Sequence, residues 1–175
     1  MLKIKFDPDD LVQLVVAYWP NQSDRMREIE NDLETRSHRI RLMQFMKKDD
    51  FIRACSWTAI RAKHLYESNE EETIRKTSLR AFTSITDQER IEILTELKGV
   101  EFATASALLH MFHSDIYPMM TVPALWSLGA DKEPISIELW QSCTYYFRQL
   151  VNDWKVSPRN LDRALWQYHY ENGAR

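Results

Sequence analysis

The 175-residue chain sets 23 lysines and arginines against 26 aspartates and glutamates, a formal net charge of −3, and 44% of it is hydrophobic. With six tryptophans, seven tyrosines and seven phenylalanines, it has material for a real core and is not a disordered chain. The acidic balance argues against tight nonspecific nucleic-acid binding. The longest apolar stretches, such as Leu11–Trp19, are too short to cross a bilayer. No membrane partner is therefore expected.

Taken in chain order, Met1–Phe6 lacks the apolar region of a secretory signal and is expected to form a short strand or a packed arm. Leu11, Leu14, Val15 and Tyr18 mark a first helix, ended by Pro20. Met26, Ile29, Leu33, Ile40 and Met43 mark a long second helix from about Ser23, bent near Ser37. Its first half, Asp24–Glu34, is rich in acids. Arg36–Lys48 carries Arg36, Arg39, Arg41, Lys47 and Lys48 with no acid; this reads as a solvated face more readily than as a phosphate-facing patch, because the spacing does not put all five on one side. Asp49 or Asp50 is expected to cap a third helix through Phe51, Ala54, Cys55, Thr58 and Ala62. The polar Ser68–Glu72 leads into a weak fourth through Ile74 and Leu79.

Thr86 and Glu89 form a capping-box pattern that opens a fifth helix, with Ile91, Leu94 and Leu97 on its apolar side. Ala103–Phe112 is apolar on nearly every side, the mark of a buried helix. Thr121–Leu128 is a short helix, Ser136–Trp154 a long one, and Ser157–Tyr170 the last. Gly129 and Gly173 each follow a helical pattern and are expected to close it at positive φ. Pro8 and Pro158 follow the capping residues Asp7 and Ser157. Cys55 and Cys143, far apart within helical patterns, read as buried thiols of a reducing compartment; a cytoplasmic location is expected. The whole reads as one all-α domain over residues 1–175, a bundle of about nine helices.

One segment carries more than fold. In Leu97-Lys98-Gly99-Val100-Glu101-Phe102-Ala103-Thr104-Ala105 an amphipathic helix stops, a glycine turns the chain, and a very apolar helix follows. The segment resembles the hairpin of the helix-hairpin-helix base-excision DNA glycosylases, a Leu-Pro-Gly-Val-Gly turn followed by a Thr-Ala pair. Leu97, Gly99, Val100, Thr104 and Ala105 match that pattern. Asp115-Ile116-Tyr117-Pro118, Ala124-Leu125 and Leu128-Gly129 parallel the stretch that carries the superfamily's catalytic aspartate, so the resemblance covers about Ile91–Gly129. It implies a glycosylase-like bundle with its hairpin core at about residues 86–129.

It also implies that Lys98, Gly99, Val100, Glu101, Phe102 and Ala103 hold a DNA phosphate on backbone N–H groups and a helix dipole. In the family, hairpin carbonyls can hold a monovalent cation; no other cofactor and no metal are implied. Glu101 replaces the second glycine. Either it strains a turn that needs φ > 0, or it sits in the first turn of the next helix and satisfies the free N–H groups itself. Ala103 stands where bifunctional members carry a lysine nucleophile, and Thr121 where the superfamily aspartate is expected. Neither supplies that chemistry; Thr121 instead suits a helix cap.

Remaining candidates are fewer. Asp115 is the first choice for a substitute catalytic carboxylate, ahead of Asp131 and Glu133, although loop aspartates more often form turns. His110 and His113, at i, i+3, have metal-ligand spacing but no third ligand, and suit imidazolium groups at a helix C-terminus better. Among Tyr117, Trp126, Trp140, Tyr145, Tyr146 and Trp166, Tyr117 is the best candidate to stack on a flipped base. Arg159 and Arg163, at i, i+4, can hold a phosphate or pair with Asp162. The leading expectation is a glycosylase-like, DNA-binding protein without glycosylase chemistry. The alternatives are a protein-interaction or structural helical module with DNA binding lost, and an active base-excision DNA repair enzyme using non-standard residues.

Overall fold

A computed structural model describes residues 2–173. It is 72% helical, and among the described residues there is no strand. No helix is long and apolar enough to cross a membrane. The helices are α1 (Leu11–Tyr18), α2 (Asp24–Met43), α3 (Lys48–Thr58), α4 (Lys63–Glu67), α5 (Glu71–Thr83), α6 (Asp87–Leu94), α7 (Phe102–Phe112), α8 (Val122–Ser127), α9 (Ile137–Asp153) and α10 (Pro158–Asn172). They fall into two compact units: a central one, Asp24–Asp115, and a terminal one made of the chain up to Ser23 and from Ile116 onward.

In the central unit α2 packs on α3 and α7, α3 also on α4 and α5, and α6 on α5 and α7. Leu33, Ile40, Phe51, Cys55, Ile74, Ile91, Leu94 and Leu109 are wholly buried here. α7 is buried from Thr104 to Phe112, as its all-round apolarity demands. The Thr86 hydroxyl accepts from the Glu89 N–H at 3.2 Å and starts α6. α3 begins differently from expectation. Lys47 is its N-cap, and Asp50 reaches back to accept the Lys47 N–H at 3.1 Å.

The basic run of α2 is tied down. Arg39 donates to both Asp50 oxygens at 2.7 and 2.8 Å, and Arg36 to Asp32 at 2.8 Å, to Asp50 at 3.0 Å and to Asp49. Burial opposes the Arg36 charge, but the Asp49 and Asp50 hydrogen bonds and the nearby Asp32 outweigh it and raise its pKa. Arg53 also pairs with Asp32, and Arg41 donates to the Met111 carbonyl at 3.0 Å. These arginines hold elements of the unit together rather than forming a free phosphate patch.

The terminal unit packs α10 on α1 and α8 around Leu14, Leu128, Phe147, Leu150, Leu161 and Leu165. The N-terminal segment is a packed arm: Lys3 and Lys5 N–H donate to the Leu128 and Ser127 carbonyls at 3.0 Å, and Phe6 enters the core. Gly129, at φ +76°, makes that approach feasible, since a Cβ there would sit 2.9 Å from the Lys3 carbonyl oxygen. Gly173 does not close α10 at positive φ; its φ is −95°, and its N–H donates to the His169 carbonyl at 2.7 Å, so it continues the right-handed geometry. Ser136 and Ser157 cap α9 and α10 with 3.2 Å bonds. Cys55 and Cys143 are both free and buried. Burial, with a smaller push from Glu133, raises the Cys143 thiol to about 12.

Candidate nucleic-acid interface

The segment between α6 and α7 is built by short local bonds. Glu96 and Leu97 N–H donate to the Ile93 and Leu94 carbonyls at 3.1 and 3.2 Å, tightening the end of α6. Leu97 and Val100 are buried and anchor the turn, and the Val100 N–H closes on the Leu97 carbonyl at 3.0 Å. Between them Gly99 sits at φ +83°, the left-handed region that only glycine enters without strain. A Cβ there would lie 2.8 Å from Leu65 Cβ and 3.0 Å from two Tyr66 ring carbons. The glycine is thus required twice, for its dihedral and for the space.

Glu101 resolves differently from either expectation. It is the N-cap of α7 at φ −88°, ψ 172°, an extended conformation open to any residue, so no strain follows from the missing glycine. It is not in the first turn, and its side chain makes no capping hydrogen bond. The Glu101 carbonyl accepts the Ala105 N–H at 2.8 Å, so the N–H groups of Ala103 and Thr104 lie ahead of the intrahelical ladder. Lys98 and Glu101 are exposed, Phe102 and Ala103 half-buried.

A residue outside the motif fixes the turn. Asn69, 4% exposed, accepts the Lys98 N–H at 2.9 Å through Oδ1 and donates to the Lys98 carbonyl at 3.0 Å through Nδ2. The same Nδ2 reaches the Leu65 and Tyr66 carbonyls at 3.1 Å, so the end of α4 is stitched to the turn. Nothing local in Ser68-Asn69 signals a partner 29 residues away. A hairpin cation would have to share oxygens already engaged, because the Leu97 carbonyl takes the Val100 N–H and the Lys98 carbonyl takes Asn69.

The other expected site residues have structural partners of their own. Asp115 belongs to the same unit but lies beyond the far end of α7, about 16 Å of helix away. Its half-exposed carboxylate accepts from Arg90 at 2.6 Å. Thr121 caps α8, accepting from the Ala124 N–H at 3.4 Å. Tyr117 is corrected outright: it is fully buried, stacked on Trp140 at 5.5 Å and beneath the Arg148 guanidinium, and no base can reach it.

Arg159 and Arg163 are corrected as phosphate ligands. Arg159 donates to Asp162 at 2.6 Å. Arg163 is 8% exposed, donates to Asn160 at 3.0 Å and stacks over Trp19 at 4.6 Å. The other aromatic candidates serve packing too: the Trp126 ring lies 3.5 Å from Lys5 Nζ, Tyr146 accepts the Ile4 N–H, and Trp166 stacks on Tyr170. Tyr145 is exposed. Asp131 pairs with Lys5 at 3.6 Å, and Glu133 stays at the surface.

His113 was expected as an imidazolium at the C-terminus of α7, and the structure holds it neutral. The Asp115 N–H donates to Nδ1 at 2.9 Å, so the ring proton is on Nε2 and donates to the Phe82 carbonyl at 3.2 Å. Burial first, then the Arg90 charge, lowers its pKa; Asp115, the Phe82 carbonyl and Asp87 oppose this and lose. The native state therefore resists a proton that the unfolded state accepts near pH 6.5. Stability from this site is complete above about pH 6.5 and is lost as pH falls toward the lower native pKa. The urea midpoint is expected to drop across that interval, and less so in His113→Gln. Parallel pH slopes for the two proteins would contradict this. Among the described residues no three His, Cys, Asp or Glu side chains converge as a metal site.

Compared with known protein families, curated proteins and solved structures, the chain matches none.

Proposed function

We propose that this chain is a helix-hairpin-helix protein of the DNA-glycosylase type that holds a DNA backbone at Lys98–Ala103 without glycosylase chemistry. The observation that carries this reading is the backbone of Glu101. Its extended geometry leaves the turn unstrained, and its side chain does not cap α7. The α7 dipole therefore still favours an anion at its first turn. Ala103, Thr121 and the Arg90-bound Asp115 support the reading that this contact serves binding rather than base removal.

Binding of duplex and abasic-site DNA at about 50 mM and about 200 mM salt tests it. A few backbone-centred contacts should give weak binding with a shallow salt slope, about 0.9 per phosphate engaged. Glu101→Gln should tighten binding roughly two- to fivefold by removing one screened like charge. If neither DNA binds at low salt, the proposal is lost. One observation favours a second reading, a protein-interaction or structural module: Arg36, Arg39, Arg159 and Arg163 all hold partners within the chain. It requires that neither DNA binds.

A further inference from the structure

α7 ends on a histidine that serves as a turn-forming acceptor. His113 is the C-cap, in extended geometry at φ −80°, ψ 153°, and its N–H closes on the Leu109 carbonyl at 3.0 Å. The buried ring turns back on the chain: Nδ1 accepts the N–H of Asp115, two residues on, at 2.9 Å, as the oxygen of an Asx-turn would. Nε2 donates to the Phe82 carbonyl at the end of α5, and the Phe82 ring meets the imidazole edge to face at 6.0 Å. The Asp115 carboxylate, held by Arg90 at 2.6 Å, stands 3.8 Å from Nδ1. Arg90 also donates to Asp87 at 3.1 Å and to the Ser84 carbonyl at 3.0 Å. The charged groups that act on the ring are thus Arg90 and Asp87 of α6 and Asp115 beyond α7. Asp115 is the last residue of the central unit, where the chain leaves it.

We infer that His113 and Asp115 form an acid-operated latch on the segment that leads out of the central unit: a proton on Nδ1 expels the Asp115 N–H and draws the Asp115 carboxylate into its place. The count of donors decides the exchange. A neutral imidazole offers one acceptor, an imidazolium none. With Nε2 kept on the Phe82 carbonyl, a proton on Nδ1 points at the Asp115 N–H, donor against donor across 2.9 Å. The Asp115 carboxylate is the acceptor at hand. It has a second oxygen, so it can take the imidazolium without leaving Arg90, whereas the single amide hydrogen must let go. The main chain at 113–115 shifts, while Arg90 keeps its bonds to Asp87 and Ser84. Burial and the Arg90 charge oppose protonation, so the latch is closed at neutral pH and opens below about pH 6.5. The change is local and precedes unfolding, which separates it from the loss of stability described above. It holds whether or not the turn at Gly99 binds DNA.

The test follows the Asp115 amide and the His113 ring of the full chain by NMR from about pH 8 to about pH 4, with far-UV circular dichroism on the same samples. Both signals should move with one midpoint, as the ring passes from the Nε2–H tautomer to imidazolium. The Asp115 amide should lose roughly tenfold in exchange protection, the equivalent of one hydrogen bond, with helix content unchanged. His113→Asn keeps an acceptor for the Asp115 N–H but has nothing to titrate, and should show no loss of protection. Asp115→Asn removes the incoming carboxylate and should move the ring's midpoint to lower pH. If the Asp115 amide stays protected while His113 titrates, or opens only as helix is lost, there is no latch. The same protection loss in His113→Asn, or an unmoved midpoint in Asp115→Asn, also overturns the exchange.

Discussion

Gly99→Ala is expected to destabilise the central unit by about 2–4 kcal/mol. Holding an L-residue at φ +83° costs roughly 1–2 kcal/mol. Forcing a methyl group to 2.8 Å from Leu65 Cβ and 3.0 Å from the Tyr66 ring adds an overpacking cost of about 1–3 kcal/mol. Part of each is relieved by shifting the turn, so the two costs do not simply add. The clash is with a Cβ, so trimming Leu65 to alanine cannot relieve it; only glycine at 65 would. Chemical unfolding followed by circular dichroism reads this directly, and an unchanged midpoint would show that the turn is plastic. Moving the turn also displaces Lys98 from Asn69 and the first turn of α7 from its place. The same substitution should therefore lower DNA affinity by more than loss of Lys98's charge alone.

How much of this was legible in advance follows from the range of each interaction. Thr86, Thr121, Ser136 and Ser157 are short-range capping signals, and each does cap the helix it precedes. The turn glycine is equally local, because a helix stop followed at once by an apolar helix needs a left-handed residue between them. α4 escaped notice because five residues are too few to show a period. Asn69 escaped because its partner is a backbone group in another element. The arginines were read ambiguously for the same reason. Spacing showed that Arg36, Arg39, Arg159 and Arg163 were cationic, but not that carboxylates or amides within the fold would claim them. Tyr117 misled because a Tyr-Pro loop looks exposed in sequence, and only the packing of Trp140 against its ring hides it. The joining of the first 23 residues to those from Ile116 onward likewise depends on contacts on which helix periodicity is silent.

Where a net-negative chain binds DNA, the contact must come from backbone dipoles or from the few cations left unpaired. The turn at Lys98–Ala103 meets the first condition through the start of α7, and the exposed Lys98 on it meets the second. Arg159 and Arg163 meet neither, because their guanidiniums are spent on holding α10 and its neighbours.

Asp50→Ala is expected to cost about 2–4 kcal/mol, the second large effect. The carboxylate is 1% exposed and accepts four bonds, two from Arg39, one from Arg36 and one from the Lys47 N–H. Removing one partner of a buried ion pair costs about 3–5 kcal/mol when the other stays buried. Here Arg36 and Arg39 keep 27% and 39% of their side chains exposed and can turn to water, which discounts that figure. Loss of the acceptor that opens α3 adds about 1 kcal/mol. Asp50→Asn separates the two contributions, because an amide oxygen can still take the Lys47 N–H while the charge is gone; about half of the alanine effect should remain. The charge-dependent half should also shrink in high salt, and the capping half should not. If alanine and asparagine unfold at the parent's midpoint, Asp50 is a passenger, and α2 is held to α3 by its apolar face alone.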